Sequence, residues 1–196
     1  MSPFAKGTLI DAALGSILIT VLLLPGQALL PQYAPYTPFA IVAILLFFAL
    51  RLPLAGLVAQ FLSFAAGVGW GILFMLVGGP LIAANPASAP VVLGVGITVT
   101  IFGILSVHPL LLGRTPFAIV PAVLWGFLNM LIVMLIMPML PEGAPKLDAV
   151  SALAIFAYGC VMTAVMVAVS RGITEKIVGK GWRRVPAAAA DAPHPV

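Results

Sequence analysis

The sequence predicts an all-α, polytopic membrane protein of six transmembrane helices, and three observations carry that reading. Of the 196 residues, 63% are hydrophobic and only 7% charged, with mean hydropathy +1.24, whereas soluble domains carry about 25% charged residues. The apolar residues fall into runs of membrane-crossing length, broken by proline, glycine and isolated charges. The basic residues segregate to alternate connections between those runs, as positive-inside topology requires.

A helix needs about 20 apolar residues to cross the hydrocarbon core. Thr8–Leu24 is the first candidate, closed by Pro25-Gly26. The second, Tyr36–Leu50, is short unless residues before Pro38 contribute. Pro53–Val77 is the third, stopped by Gly78-Gly79-Pro80, and Val91–Val107 the fourth, stopped by His108-Pro109. Pro116–Leu140 and Ala149–Ser170 complete the set, so residues 1–170 form one six-helix domain. Residues 171–196 are expected to be cytoplasmic. Ile173, Ile177, Val178 and Trp182 among basic residues make a short amphipathic stretch suited to an anionic membrane surface. The Ala/Pro-rich end from Ala187 reads as disordered.

Charge placement tests the span count independently. With the N-terminus inside, Lys6, Arg51, Arg114, Arg171, Lys176, Lys180, Arg183 and Arg184 all fall on the inner side, eight of the nine basic residues. The outer connections hold only Lys146, beside Glu142 and Asp148. Both termini are therefore expected in the cytoplasm, and an odd number of spans would break the pattern. A signal peptide is the rival reading of the N-terminus, with Lys6 ahead of an apolar run. That run is long for a signal core, which favours a retained helix. Singly spaced basic residues are loop anchors rather than a nucleic-acid surface. A lone Cys160 inside an apolar run reports nothing on redox compartment.

Thr-Pro-Phe-Ala-Ile-Val occurs twice, at Thr37–Val42 and Thr115–Val120, an offset of 78 residues. Ile19-Thr20-Val21 returns at the same offset as Ile97-Thr98-Val99. Three spans per half would turn the second copy upside down, which is an inverted 3+3 repeat. Chance repetition in low-complexity apolar sequence is the other reading. Thr-Pro also has a local reason to recur, since proline suits the first turn of a helix.

Within the spans, the third is the most patterned. Gly56, Gln60, Ser63, Gly67 and Gly71 recur at spacings of three or four and share one face, with Trp70 beside it. Gly67 and Gly71 form a small-xxx-small pair that lets a neighbouring helix approach. Gly96, Thr100 and Gly103 share a face of the fourth span. Gly126 and Asn129 share one of the fifth, near Trp125. Intramembrane polar groups turn toward the bundle, because unsatisfied ones are costly in lipid. Gln60, Ser63, Gly67, Trp70, Gly71, Thr100, Trp125 and Asn129 are thus the candidates for either a solute pathway or helix packing. Asp11 lies one or two turns into the first span, where it reaches the interface or pairs with Lys6 or Arg51. His108, at a helix end before Pro109, is expected to mark the inner interface. No ionisable residue is then placed at mid-bilayer, which argues against ion-coupled transport.

Enzyme chemistry finds no support. No His/Cys/Asp/Glu cluster has metal-ligand spacing, no acid–base pair falls within one segment, and no P-loop or dinucleotide fingerprint is present. The chain is therefore expected to be no enzyme, with no cofactor and no metal. Asn85-Pro86-Ala87 occurs once, in an outer connection, without the second copy that the aquaporin signature needs.

One wider pattern is carried by Tyr36–Met75. A Pro/aromatic entry leads to Phe47-Phe48-Ala49, then Arg51, then Gly56-Leu57 and Ala66-Gly67-Val68-Gly69-Trp70-Gly71. Leu110-Leu111-Leu112, Pro116-Phe117 and Trp125-Gly126-Phe127 follow. These blocks, over roughly half of the chain, resemble the small bacterial inner-membrane family known as domain of unknown function 1097. The chain departs from that pattern where Arg51-Leu52-Pro53 replaces a glycine-rich break, and in a longer C-terminal helix and basic tail. The resemblance implies a bacterial inner-membrane location and brings no catalytic residues. The expected function is a channel or facilitator for a small neutral or weakly polar solute. The alternative is a non-transporting accessory or scaffold subunit. The partners are the lipid bilayer and either further copies of the chain or another membrane subunit, with no nucleic acid.

Overall fold

The computed structural model describes residues 2–29 and 31–182, so the end from Ala187 that reads as disordered lies outside the described residues. The described chain is all-helical, without a strand. Its helices are α1 (Pro3–Leu29), α2 (Ala40–Ala49, entered through a 3₁₀ segment, Pro31–Phe39), α3 (Gly56–Ala84), α4 (Ala89–Leu111), α5 (Val120–Leu135) and α6 (Ala149–Val178).

Five of these are long and apolar enough to cross a membrane; the remaining apolar helix, Tyr33–Ala49, is shorter. Its length deficit has a local cause. Pro31, Pro35 and Pro38 lack N–H groups, and the 3₁₀ path they favour rises about 2 Å per residue against about 1.5 Å in an α-helix. The two parts together cover about 33 Å of rise, close to the hydrocarbon thickness of about 30 Å. Leu9, Ile17, Leu24, Leu76, Phe102 and Val161 lie among many large apolar side chains left exposed on the helices. Such a girdle suits lipid and not water.

Three expected stops are not stops. Pro25, Pro80 and Pro109 all sit inside helices. In a bilayer a freed carbonyl has no water to turn to, so the chain keeps its helix and neighbours repair the gap. Beside Pro25, the Tyr158 hydroxyl of α6 donates to the Leu22 carbonyl, next to the Val21 carbonyl that Pro25 leaves without its helical donor, and the Tyr158 ring covers Gly26. The fifth span is shorter than the expected Pro116–Leu140, because residues 115–119 form turns and Met137–Met139 a 3₁₀ turn. α6 begins at Ala149 as expected and runs unbroken through Ser170 to Val178.

Helix ends follow ordinary capping rules. Asp148 caps α6, accepting from the Ser151 N–H at 2.7 Å while the Ser151 hydroxyl accepts from the Asp148 N–H at 2.8 Å. The Ser151 N–H first, and then the Ser151 hydroxyl donating to Oδ1 at 2.7 Å, hold the Asp148 carboxyl below its ordinary range. α2 ends in a Schellman turn, with Leu52 N–H on the Phe47 carbonyl and Arg51 N–H on that of Phe48. Arg51 takes the left-handed position at φ 52° that glycine usually fills.

The packing order places α3 and α6 at the centre. α3 packs against α5, α4 and α6, and α6 against α1 and α2. Facing residues give the directions. Gly26 meets Tyr158, Gly15 meets Met166 and Gly7 meets Trp182, so α1 and α6 are antiparallel. Both ends of the described chain consequently lie at one end of the bundle. Gly78 meets Val92, Gly96 meets Phe74 and Gly103 meets Trp70, so α3 and α4 are also antiparallel. α3 and α5 run parallel, with Gly67 on Val123 and Gly71 on Met130.

Candidate functional site

The eight candidate residues separate into three places. Four lie where α3 meets its neighbours. A Cβ at Gly67 would overlap the Val123 carbonyl, and one at Gly126 the Phe64 carbonyl, so α3 and α5 touch backbone to backbone. Gly71 receives the Met130 side chain in the same way. Gln60 and Ser63, both fully buried, point to other partners. Gln60 Nε2 donates to the Ala43 carbonyl of α2 at 2.8 Å, while its Oε1 has no hydrogen-bond partner. Ser63 Oγ donates to the Pro116 carbonyl and accepts from the Ile119 N–H, each at 3.1 Å.

Trp125 and Asn129 lie apart from these, in a crevice at the centre of the bundle. Its walls include Phe39, Phe64, Asn129, Ile155 and Phe156, and it is too narrow to admit a water molecule. Phe64 of α3 stacks on Phe156 of α6, and Phe39 meets Trp125 edge-on at 6.0 Å. Asn129 is buried and donates from Nδ2 to the Trp125 carbonyl at 2.9 Å. It brings the crevice its one carboxamide.

Trp70 and Thr100 line a third place, an apolar cleft of about 480 Å³ between α3 and α4 that opens on the outside of the bundle. Thr100 Oγ1 is turned back onto the Gly96 carbonyl at 2.8 Å. Trp70 is held by His108, which is buried, 1% exposed, near the end of α4. Trp70 Nε1–H donates to His108 Nε2 at 3.0 Å, and His108 Nδ1 lies 2.6 Å from the Phe117 carbonyl. A carbonyl only accepts, so Nδ1 carries the proton and Nε2 is the bare acceptor. Pro109 concealed this site in the sequence, because the helix was expected to end before it and instead carries His108 inward.

Two further residues went unnoticed in the sequence, Phe64 and Phe156. The signal was present in Phe64-Ala65-Ala66-Gly67 and Phe156-Ala157-Tyr158-Gly159. Its offset of 92 residues differs from that of the hexapeptide, because both α5 and the α5–α6 connection are longer than α2 and the α2–α3 connection. Gly159, like Gly67, seats against a neighbouring backbone, here at Ala40 of α2.

Among the described residues, no three His, Cys, Asp or Glu side chains gather as a metal site needs. The apolar helices, their exposed girdle and the buried polar interior define a multi-pass α-helical membrane protein. Comparison with protein-family models, with curated proteins and with solved structures finds no match.

Proposed function

We propose that the chain is an inverted 3+3 membrane protein that binds or passes a small uncharged or weakly polar solute where its halves meet. Helix pairing supports the inversion. Exchanging α1 with α4, α2 with α5 and α3 with α6 preserves the main packing partners, although α1 meets the 3₁₀ entry Pro31–Phe39 where α4 meets α5 itself. Antiparallel α1 on α6 corresponds to antiparallel α4 on α3, and α2 on α6 corresponds to α5 on α3. The two Phe-Ala-x-Gly strings correspond as well, and their phenylalanines meet each other between the halves. Repeats of this kind carry their sites at the repeat junction near the midplane.

The observation that carries the solute reading is the central crevice, where Asn129 offers a carboxamide among Phe39, Phe64, Trp125 and Phe156. Aromatic walls with one or two fixed polar groups suit a small neutral ligand. The crevice is closed in this structure, so passage requires the halves to shift. Basic residues flanking the spans, with both chain ends at one end of the bundle, support a cytoplasmic placement of the termini. The blocks that resemble domain of unknown function 1097 support a bacterial inner membrane.

The test is flux of small neutral solutes into proteoliposomes holding the full chain. Flux above protein-free vesicles, lost in Asn129→Leu, is expected. A second reading, an accessory subunit, is favoured by the open apolar cleft between α3 and α4, a groove for a partner helix. No flux across the panel, with a membrane protein co-purifying stoichiometrically, would replace the first reading by the second.

A further inference from the structure

His108 is the one ionisable side chain on α3, α4 and α5 together. It is buried, and it ties three elements: Trp70 on α3, its own helix α4, and the Phe117 carbonyl of the α4–α5 connection. That connection is also held by Ser63 through Pro116 and Ile119. Its one charged residue, Arg114, is exposed. No carboxylate on the helices packed around His108 is there to stabilise an imidazolium.

We propose that the Trp70–His108–Phe117 chain is a proton-operated latch on the α3–α4 cleft. The neutral imidazole is the form that fits, because Nε2 must accept from the indole while Nδ1 donates to the carbonyl. A proton added at Nε2 makes both ring nitrogens donors. Trp70 Nε1–H then faces a second N–H at hydrogen-bond distance and loses its acceptor. The bond to Phe117 is kept, so the break falls between α3 and α4 and not between α4 and the connection. Trp70 lines the cleft and lies 3.2 Å from a Cβ position at Gly103. Its release frees the side chain that spans the two helices there. Neighbouring contacts favour that outcome, since α4 buries little besides Ile104 and His108. The latch stands apart from the central crevice, so it holds or fails regardless of what the crevice binds.

The test uses the full chain in lipid nanodiscs, with nitroxide labels at the exposed Val77 and Val95 on either wall of the cleft. Histidine nitrogen resonances are recorded in parallel, with His194→Ala removing the other imidazole. As the pH is lowered stepwise from about 8 to about 5, the doubly protonated ring is expected to replace the Nδ1–H tautomer. The label separation should lengthen by several ångström over the same range. His108→Gln should abolish that response, and Trp70→Phe should give the longer separation at both extremes. A ring that stays neutral throughout, or one that protonates with no change in separation, overturns the latch. A pH response surviving in His108→Gln overturns it equally. The wild-type resonances decide the matter even if a variant does not fold.

Discussion

The rings of Phe64 and Phe156 stack 3.9 Å apart and 4° from parallel, joining α3 to α6 at the centre of the bundle. Each ring is almost fully buried. Both rings line the crevice that Asn129 enters.

Truncating either ring should be costly. Phe64→Ala or Phe156→Ala is expected to destabilise by about 3 kcal/mol, the low end for buried aromatics, since lipid instead of water surrounds separated helices. The double variant should fall short of the sum by about 1 kcal/mol, the coupling of a stacked pair. Reversible unfolding in mixed micelles, run as a double-mutant cycle, measures both quantities.

Glycines on one helix should differ sharply. Gly67→Ala places a methyl into the Val123 carbonyl, so α3 and α5 must separate, whereas a Cβ at Gly69 meets nothing within 4 Å. Gly69→Ala should therefore be neutral or stabilising by up to about 1 kcal/mol, the helix-propensity gain. The expected cost at Gly67 is about 2 kcal/mol or more, in the range of overpacked cores. Equal effects at the two positions would contradict the backbone contact between α3 and α5.

Gln60 offers a different contrast. Its Oε1 is buried without a partner, and its donor serves a carbonyl of α2, a helix with its own backbone bonds. Gln60→Leu removes an unsatisfied acceptor along with one hydrogen bond. The net effect should be within about 1 kcal/mol of zero. Because the variant is expected to fold, proteoliposome flux through it reports directly on whether Gln60 touches a solute.

At Asp148 the dependence is on pH. Its carboxyl is held below the ordinary value by the Ser151 N–H, so the folded state favours the ionised form. The stabilisation is complete above the unfolded aspartate value of about 3.9 and is lost as pH falls through the lower folded value. Asp148→Ala should cost about 1 kcal/mol at neutral pH. Below that acid range it should cost much less. Unfolding of both proteins at pH 7 and at successively lower pH supplies the comparison.

The repeated hexapeptide supplies the last prediction. Thr37 and Thr115 make the same local bond, to the carbonyl three residues back, at 2.8 and 2.7 Å. Beyond that the copies diverge. Residues 37–42 run through 3₁₀ into α2, whereas residues 115–119 form turns before α5 begins at Val120. The residue after each copy explains part of the difference: Ala43 continues a helix, and Pro121 excludes helical geometry at the residue before it less than it forbids a bond to residue 117. The Phe117 and Pro116 carbonyls are taken by His108 and Ser63 instead. Ala43→Pro should disrupt α2 by about 3 kcal/mol or more, seen as lost stability with helix content reduced by circular dichroism.

Membrane class, five helices of spanning length and the start of α6 were legible in composition and spacing, because hydrocarbon thickness sets how long an apolar run must be. The faces of α3 and α5 were legible too, since a helical period places Gln60, Ser63, Gly67 and Gly71 in line whatever surrounds them. Helix ends at Pro25, Pro80 and Pro109 were not, because in lipid a helix gains no water contacts by stopping at a proline, and its surroundings decide whether it continues. The same holds for His108, whose partners Trp70 and Phe117 come from separate elements, and for Phe64 and Phe156, brought together across 92 residues. The two hexapeptides make the point most directly. One string of residues takes two conformations here, because the contacts that choose between them belong to the packed bundle and not to the string.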